Sequence, residues 1–166
     1  MKTNLLTSLL ILVCSFTTIS CSNDSEDLVD DSNAQLVTDY TYSADETHLV
    51  DLINNYRVSH GKNALSIINH ISYKSQEHNL YMIEKNVVNH DYFEERSNNI
   101  IQVLGAIKVG ENLAYNFSKP ETVLNAWLLS SGHKANLDGD YTHVGISITI
   151  DPVTGKKYYT NMFMKK

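Results

Sequence analysis

Three polar residues in the second half of the chain have side chains that could do chemistry: His90, Glu111 and His133. Glu111 follows a glycine in the run Gly-Glu-Asn-Leu-Ala, and His133 follows Gly132, shortly after the only tryptophan, Trp127. His90 comes after an apolar pair and before two aromatic residues. Burying a carboxylate or an imidazole among such neighbours is unfavourable unless the group is paired, hydrogen-bonded or given a ligand. We therefore expect these side chains to have partners.

Two imidazoles and a carboxylate can bind a divalent cation such as zinc, with one position left open for water. In that interpretation His90 and His133 hold the metal, and Glu111 acts as the base of a metal-assisted hydrolase. The same groups could instead form a hydrogen-bonded cluster in a polar binding cleft, or stabilise the fold. No ligand pair has the spacing of a His-Glu-x-x-His motif, and Ser130 is not in a Gly-x-Ser-x-Gly elbow. All three interpretations stay open on the residues alone.

Helical patterns precede these residues and alternate with them along the chain. Ser43 and Glu46 form a capping box, which predicts a helix that ends at Gly61. Three more helices are predicted over residues 66–85, 97–104 and 120–130. We expect His90 and His133 in loops between helices, and Glu111 in a turn or short extended piece.

The last part of the chain changes from helical to alternating periodicity. Residues 144–150 alternate between apolar and polar side chains, and a turn at Asp151-Pro152-Val153-Thr154-Gly155 leads to a second strand over residues 157–164. These two strands predict an antiparallel hairpin. Helices followed by strands predict an α+β domain, which we place at residues 43–166.

The amino terminus has the pattern of a secretory signal peptide over residues 1–20, with Lys2 before an apolar stretch. Cys21 closes that stretch and resembles the lipidated cysteine of a bacterial lipoprotein. Residues 21–42 are acidic and polar, so we expect a flexible tether there. An acidic run just after such a cysteine resembles the surface-export signal of bacterial lipoproteins. That resemblance implies an outer-membrane or cell-surface lipoprotein, with free secretion or a periplasmic location as the alternatives.

The charge distribution argues against nucleic-acid binding. The net charge is -6, and nine of the nineteen acidic residues lie between Thr3 and Tyr56, where there is no Lys or Arg. No basic stripe follows. There is no cysteine after Cys21, so the domain must hold by packing without disulfides. The length suits one domain, and we expect a monomer.

Several short motifs occur along the chain in the same order as in a known protein family. They are, in sequence, Leu52-Ile-Asn-Asn-Tyr-Arg57 with Gly61, Asn89-His90, Arg96, Gly110-Glu-Asn-Leu-Ala114, Trp127-Leu-Leu-Ser-Ser-Gly-His133 with Asn136-Leu137, Val144-Gly145, and Tyr158-Tyr-Thr with Phe163. Together they are similar to the bacterial branch of the CAP superfamily, the SCP-like group that includes cysteine-rich secretory proteins, antigen 5 and pathogenesis-related proteins.

The resemblance implies a three-layer α-β-α sandwich with a central antiparallel sheet and a surface cleft. By position, His90 and His133 match the two cleft histidines and Glu111 the first cleft acid. Ser130 stands where animal members have a second acid, which weakens a mechanism that needs two carboxylates. The resemblance also implies binding of a lipid, sterol, metal or protein ligand at the cell envelope, with zinc or another divalent cation as the cofactor.

The lipid anchor gives the first test. We expect Cys21→Ala to move the protein from the membrane fraction to the soluble fraction, because several acyl chains on that residue would be lost. Cys14→Ala is the matched control and should leave the distribution unchanged. Membrane association of the Cys21→Ala variant equal to that of the wild type would contradict the lipoprotein prediction.

Overall fold

The computed structural model describes residues 35–166, so the predicted signal peptide, Cys21 and the first part of the tether lie outside the described residues. The elements are α1 (Ala44–Ser59), β1 (Ser66–Ile67), α2 (Asn69–Lys85), α3 (Phe93–Leu104), β2 (Lys108–Tyr115), α4 (Pro120–Leu129), α5 (Ser131–Leu137), β3 (His143–Ile150) and β4 (Lys157–Lys165). None of the helices in this part of the chain combines the length and apolar character that crossing a membrane requires.

The strands form one four-stranded sheet in the order β1-β3-β4-β2. β3 and β4 make the predicted antiparallel hairpin, β2 pairs antiparallel with β4, and β1 adds one parallel pair beside β3. α2 and α3 pack on one face, and α1, α4 and α5 pack on the other. The predicted α+β class with α-β-α layers is therefore confirmed, with a mixed sheet in place of a purely antiparallel one.

Apolar side chains fill both spaces between the sheet and its helices, because alternate residues of a strand point to opposite faces. The space beneath α1, α4 and α5 contains Leu49, Ile53, Val123, Trp127, Leu137, Val144, Ile146, Tyr159 and Phe163. The space beneath α2 and α3 contains Ile71, Ile100, Met162 and Met164.

α1 begins as predicted. Ser43 accepts from the Glu46 N–H, and the Glu46 carboxylate accepts from the Ser43 N–H at 2.7 Å, which completes the capping box. The Glu46 carboxylate also reaches the sheet, where it accepts from the N–H of Ile148 at 2.8 Å. The Glu46 carboxylate thus accepts hydrogen bonds from one main-chain N–H at the start of α1 and from another on the outer edge of β3.

Arg57, near the end of α1, is fully buried and connects distant parts of the chain. Its guanidinium donates to the carbonyl of Asn63 at 3.0 Å and to those of Leu137 at 2.8 Å, Gly139 at 2.9 Å and Tyr141 at 3.3 Å. Four backbone acceptors satisfy a charge that would be costly to bury alone. Arg57 thereby fixes the connection between α5 and β3 against α1.

Two predicted helices have different starting points in the structure. The helix predicted over residues 66–85 is α2, which begins at Asn69, and its first residues form β1 instead. Ile67 is 40% exposed rather than in the core, and a two-residue strand is too short to leave a periodic signal. α3 begins at Phe93 rather than at residue 97, with Glu94 and Glu95 in its first turn, where acids favour the helix dipole.

The expectation of His133 in a loop is wrong. α4 ends at Leu129, and after Ser130 the chain starts a second helix, α5, which carries His133 in its first turn. Gly132 suggested a helix stop, but it lies inside α5. The prediction from Gly132 was wrong because the break between α4 and α5 lies two residues earlier, at Ser130.

The last residues of the predicted tether contact the domain. The N–H of Val37 donates to Nδ1 of His70 in α2 at 3.1 Å, and the Tyr42 hydroxyl donates to an α2 side chain at 3.0 Å. Residues 35–42 therefore lie against α2 rather than forming a free tether. The rest of the predicted tether lies outside the described residues.

Gly145 marks a close approach of the sheet to α2. A Cβ atom at this position would lie 2.4 Å from the Ser72 nitrogen and 2.5 Å from the Ile71 carbonyl carbon. Main-chain atoms in a helix cannot move aside as the end of a side chain can. Glycine at this point lets α2 pack directly on β3.

We expect Gly145→Ala to lower the free energy of unfolding by about 3 kcal/mol or more, since it overpacks helix backbone against strand. Gly132→Ala is the matched control: a Cβ there meets nothing within 4 Å, and alanine should stabilise a helical position by about 0.5 kcal/mol. Urea unfolding followed by circular dichroism measures both. Equal stability of the two variants would contradict the packing argument.

Candidate functional site

Glu111 lies in β2, with its side chain on the face covered by α2 and α3. The carboxylate is almost completely buried, at 1% exposure. Arg96 of α3 donates to it from Nε to Oε2 at 3.0 Å, and from one terminal nitrogen to Oε1 at 3.0 Å and to Oε2 at 2.8 Å. Bidentate pairs of this kind are among the stronger charge-assisted hydrogen bonds. Arg96 thus satisfies the buried charge and joins α3 to the sheet.

His90 completes the cluster from the loop between α2 and α3. Its Nδ1 lies 2.7 Å from Oε1 of Glu111. A carboxylate only accepts, so this bond assigns the ring proton to Nδ1. The imidazole is 53% exposed, and its other nitrogen makes no hydrogen bond within residues 35–166. A buried acid therefore orients an accessible histidine.

The His90 loop is held by side chains on both sides of it. A terminal nitrogen of Arg96 donates to the carbonyl of Asp91 at 2.7 Å, and Nε2 of His78 donates to the carbonyl of Asn89 at 2.8 Å. Asp91 and Asn89 flank His90 directly. The imidazole is thus fixed by its backbone as well as by Glu111.

Burial and hydrogen bonding have opposite effects on the pKa of Glu111. Burial alone would raise the pKa of the carboxyl, but the hydrogen bond with His90 and the charge of Arg96 outweigh it, so the pKa lies below its ordinary value of 4.5. Glu111 is therefore ionised at neutral pH. Its lone pairs are committed to Arg96 and His90, which makes it a poor general base.

His133 lies apart from this pair. It is half-buried in α5, with its ring centroid 6.4 Å from that of Trp127. Burial, and to a smaller extent the charge of His90, lowers the pKa of its imidazole, which favours the neutral form. Its carbonyl accepts from the Asn112 amide at 3.0 Å. The predicted Ser130 is the residue before α5, and its carbonyl accepts from the Lys134 N–H at 2.8 Å.

A cleft of about 290 Å³ opens beside the Glu111 cluster. Its lining residues are His90, Phe93, Val109, Gly110, Glu111 and Asn136. Of the four predicted site residues, the structure places His90 and Glu111 in this lining, while His133 and Ser130 are not part of it.

Asn136 is a lining residue that the motif pattern included but to which no role was assigned. Its amide donates to the Glu111 carbonyl at 3.0 Å and to Oδ1 of Asn112 at 2.9 Å. It lies three residues after His133, on the same side of α5. A helix prediction across residues 131–137 would have revealed that spacing.

The geometry does not fit a metal site built from His90, His133 and Glu111. Within residues 35–166, no three His, Cys, Asp or Glu side chains converge so that they could hold a metal ion. The guanidinium of Arg96 occupies both oxygens of the one carboxylate in the proposed set. A zinc ion would have to displace that cation.

His78 of α2 is another buried titratable group near the site. It is 2% exposed, and its ring stacks on Tyr81 with centroids 5.8 Å apart. Burial and the charge of Arg96 lower the pKa of this imidazole. Its contact with the His90 loop gives it a positioning role that an isolated helical histidine does not reveal.

We expect Glu111→Gln to lower the free energy of unfolding by about 3 kcal/mol at pH 7, because Arg96 would stay buried without its counter-charge. The Glu111 pKa is depressed on folding, so its contribution is full above the unfolded pKa of about 4.5 and is lost as the pH falls through the folded pKa. The stability gap between wild type and variant should therefore shrink below pH 4.5. Urea unfolding at several pH values measures it.

The control is Glu121→Gln, which removes another Glu paired with a histidine, His48, but on the surface. It should leave the free energy of unfolding nearly unchanged, since exposed pairs contribute little. If the difference in free energy of unfolding between wild type and Glu111→Gln stays constant down to about pH 3, the loss of stability comes from altered packing and not from the lost charge.

The sequence matches the CAP, cysteine-rich secretory protein family profile over residues 50–163. The chain is 33% identical over 131 residues to the uncharacterized membrane protein YlbC of Bacillus subtilis, covering 73% of this chain and 34% of YlbC. It thus spans about a third of that relative's length.

Solved structures with the same fold include an outer surface protein of Borrelia burgdorferi, with a TM-score of 0.68 and 22% identity over 76% of this chain and 96% of that one. An extracellular SCP-domain protein of Bacillus anthracis has a TM-score of 0.64 and 23% identity, over 77% and 45%. The family match covers most of the described residues and agrees with these folds. The chain therefore belongs to the CAP family of cysteine-rich secretory proteins.

Proposed function

We propose that this protein is an exported CAP domain that binds a ligand in its cleft, with His90 as the main polar contact. The observation that carries this proposal is the commitment of the Glu111 carboxylate to Arg96 and His90. A carboxylate held in this way orients an imidazole for recognition. It has no free lone pair aimed at a substrate proton or a metal.

The cleft suits a small group rather than a whole extended lipid. At about 290 Å³ it lies at the lower end of ligand pockets, which range over roughly 300–1,000 Å³. Half-buried Phe93 and Val109 offer apolar contacts, and His90 with Asn136 offers polar ones. A group the size of an amino-acid side chain or a lipid headgroup, carried by a larger envelope molecule, matches this lining.

Export and envelope attachment are supported by the comparisons and by the amino-terminal pattern. YlbC is described as a membrane protein, the Borrelia burgdorferi protein as an outer surface protein, and the Bacillus anthracis protein as extracellular. The signal pattern before Cys21 has the same implication. We propose that a lipid on Cys21 holds the domain at the outer membrane or cell surface, where it acts as a monomer.

The metal-assisted hydrolase alternative has weaker support. It requires Glu111 to leave Arg96 and act as a base, and it requires His90 and His133 to share a metal. Within the described residues no such cluster forms. A hydrolase would also leave the buried Arg96 guanidinium without its partner during the reaction, at a cost of several kcal/mol.

The binding proposal is tested by calorimetry against a panel of envelope lipids, sterols, peptides and divalent cations. For any ligand that binds the wild type, we expect His90→Ala to weaken affinity about tenfold or more, as a lost hydrogen bond in a cleft does. His48→Ala is the matched control: it removes another half-exposed histidine hydrogen-bonded to a Glu, outside the cleft.

Equal loss in both variants, or no loss in either, would place the ligand elsewhere and contradict the proposal. Hydrolysis of a peptide or glycan panel that disappears in Glu111→Gln and depends on added zinc would favour the enzyme instead.

A further inference from the structure

β2 is the outermost strand of the sheet on the side of the cleft. The N–H of Asn116 donates to the carbonyl of Lys157 at 2.7 Å, which extends the β2–β4 register by one pair. In an antiparallel ladder, alternate residues direct both main-chain groups to the partner strand. The even-numbered residues of β2 therefore face β4. Val109, Glu111 and Leu113 direct their N–H and C=O groups away from the sheet.

Side chains seal much of this outer edge. The indole of Trp127 donates to the Leu113 carbonyl at 2.7 Å, and the Asn136 amide donates to the Glu111 carbonyl at 3.0 Å. The opposite edge of the sheet is sealed in the same way, where Ser72 accepts from the N–H of Ile146 at 3.0 Å. Side-chain pairing of this kind blocks an edge strand from joining another chain.

One short stretch of the β2 edge is left open. Among residues 35–166, no side chain or loop pairs with the N–H or C=O of Val109 or with the N–H of Glu111. Both residues line the cleft. Glu111 as a whole is 6% exposed while its side chain is 1% exposed, so what remains accessible is its main chain. The open edge and the cleft floor are the same surface.

We propose that the cleft binds an extended peptide segment, which adds as a short strand to β2 at Val109–Glu111. This inference rests on the proposed ligand-binding function and names the class of its ligand. An unpaired row of main-chain donors and acceptors is matched by another extended backbone, and strand addition is a recurring mode of peptide recognition. Three residues of β2 span about 7 Å, which limits the paired segment to two or three residues.

The walls of the cleft would select the side chains of the bound segment. Residues of an added strand point alternately to the two faces of the sheet. On the α3 side they meet half-buried Phe93 and the accessible His90, which suit an apolar side chain and a hydrogen-bonding partner. On the α5 side they meet Asn136. Residues directly opposite each other in a ladder share a face, so the residue opposite Gly110 lies on the α5 side and those opposite Val109 and Glu111 lie on the α3 side. We therefore expect a peptide with a polar residue at the centre of the paired segment and an apolar residue beside it.

The test uses heptapeptides selected from a random phage-displayed library on the full-length protein. Val109→Pro removes an outward N–H and places a ring at the edge without breaking the β4 ladder, a position that tolerates proline. We expect this variant to bind the selected peptides about tenfold more weakly, because a hydrogen bond is lost and the edge is blocked. Val109→Ala keeps the N–H, and its affinity for the same peptides should fall by less than about threefold.

A second arm does not depend on the folding of Val109→Pro. Each residue of a selected peptide is N-methylated in turn, and the affinity for wild-type protein is measured. Strand pairing predicts that methylation at one residue, or at two residues separated by one, weakens binding about tenfold while the residue between them tolerates it. A flat scan, or losses at consecutive residues, would overturn strand addition.

The outcomes separate this inference from the proposed function. If no peptide is selected, or if the peptides bind Val109→Pro as well as wild type, strand addition is wrong. If a non-peptide ligand then binds wild type and is weakened by His90→Ala, the cleft function stands without it. If the selected peptides bind His90→Ala and Val109→Pro unchanged, both proposals fail.

Discussion

The buried ion pair between Arg96 and Glu111 is the interaction on which the site depends. Two charges taken out of water are tolerated only when the geometry is good and the remaining hydrogen-bonding groups are satisfied. Here the fork of Arg96 and the ring of His90 satisfy the carboxylate, and Asp91 offers its carbonyl to the same guanidinium. The pair therefore fixes α3, the preceding loop and β2 against each other. The position of His90 follows from that constraint.

The same constraint separates positioning from chemistry. Glu111 is ionised and buried, yet it is directed at Arg96 rather than at the solvent. His90 is the accessible group, and the cleft beside it has a main-chain floor supplied by β2. His133 stays on α5 near Trp127, outside the cleft lining. The result is a cleft with one oriented, accessible imidazole, in which the other polar residues serve mainly to hold each other in place.

The sequence predicted those elements whose stabilising contacts lie between residues close together in the chain. The Ser43–Glu46 capping box and the β3–β4 hairpin depend on residues close in sequence, and both were predictable. β1 was not, because two residues carry no period, and α5 was missed because Gly132 resembles a helix end. For the site, the family resemblance grouped His90 with Glu111. The roles of Arg57 and Asn136 depend on partners from distant elements, for which a single sequence gives no local signal.

Arg57 also determines when the chain can complete its fold. Its acceptors in Leu137, Gly139 and Tyr141 follow it by 80, 82 and 84 residues. Contacts across such separations close long loops before they stabilise anything, and they slow folding. A chain that emerges vectorially from a ribosome or a membrane translocon has α1 available early but cannot satisfy the guanidinium until the connection before β3 has arrived. These hydrogen bonds of Arg57 can therefore form only after most of the polypeptide has been delivered.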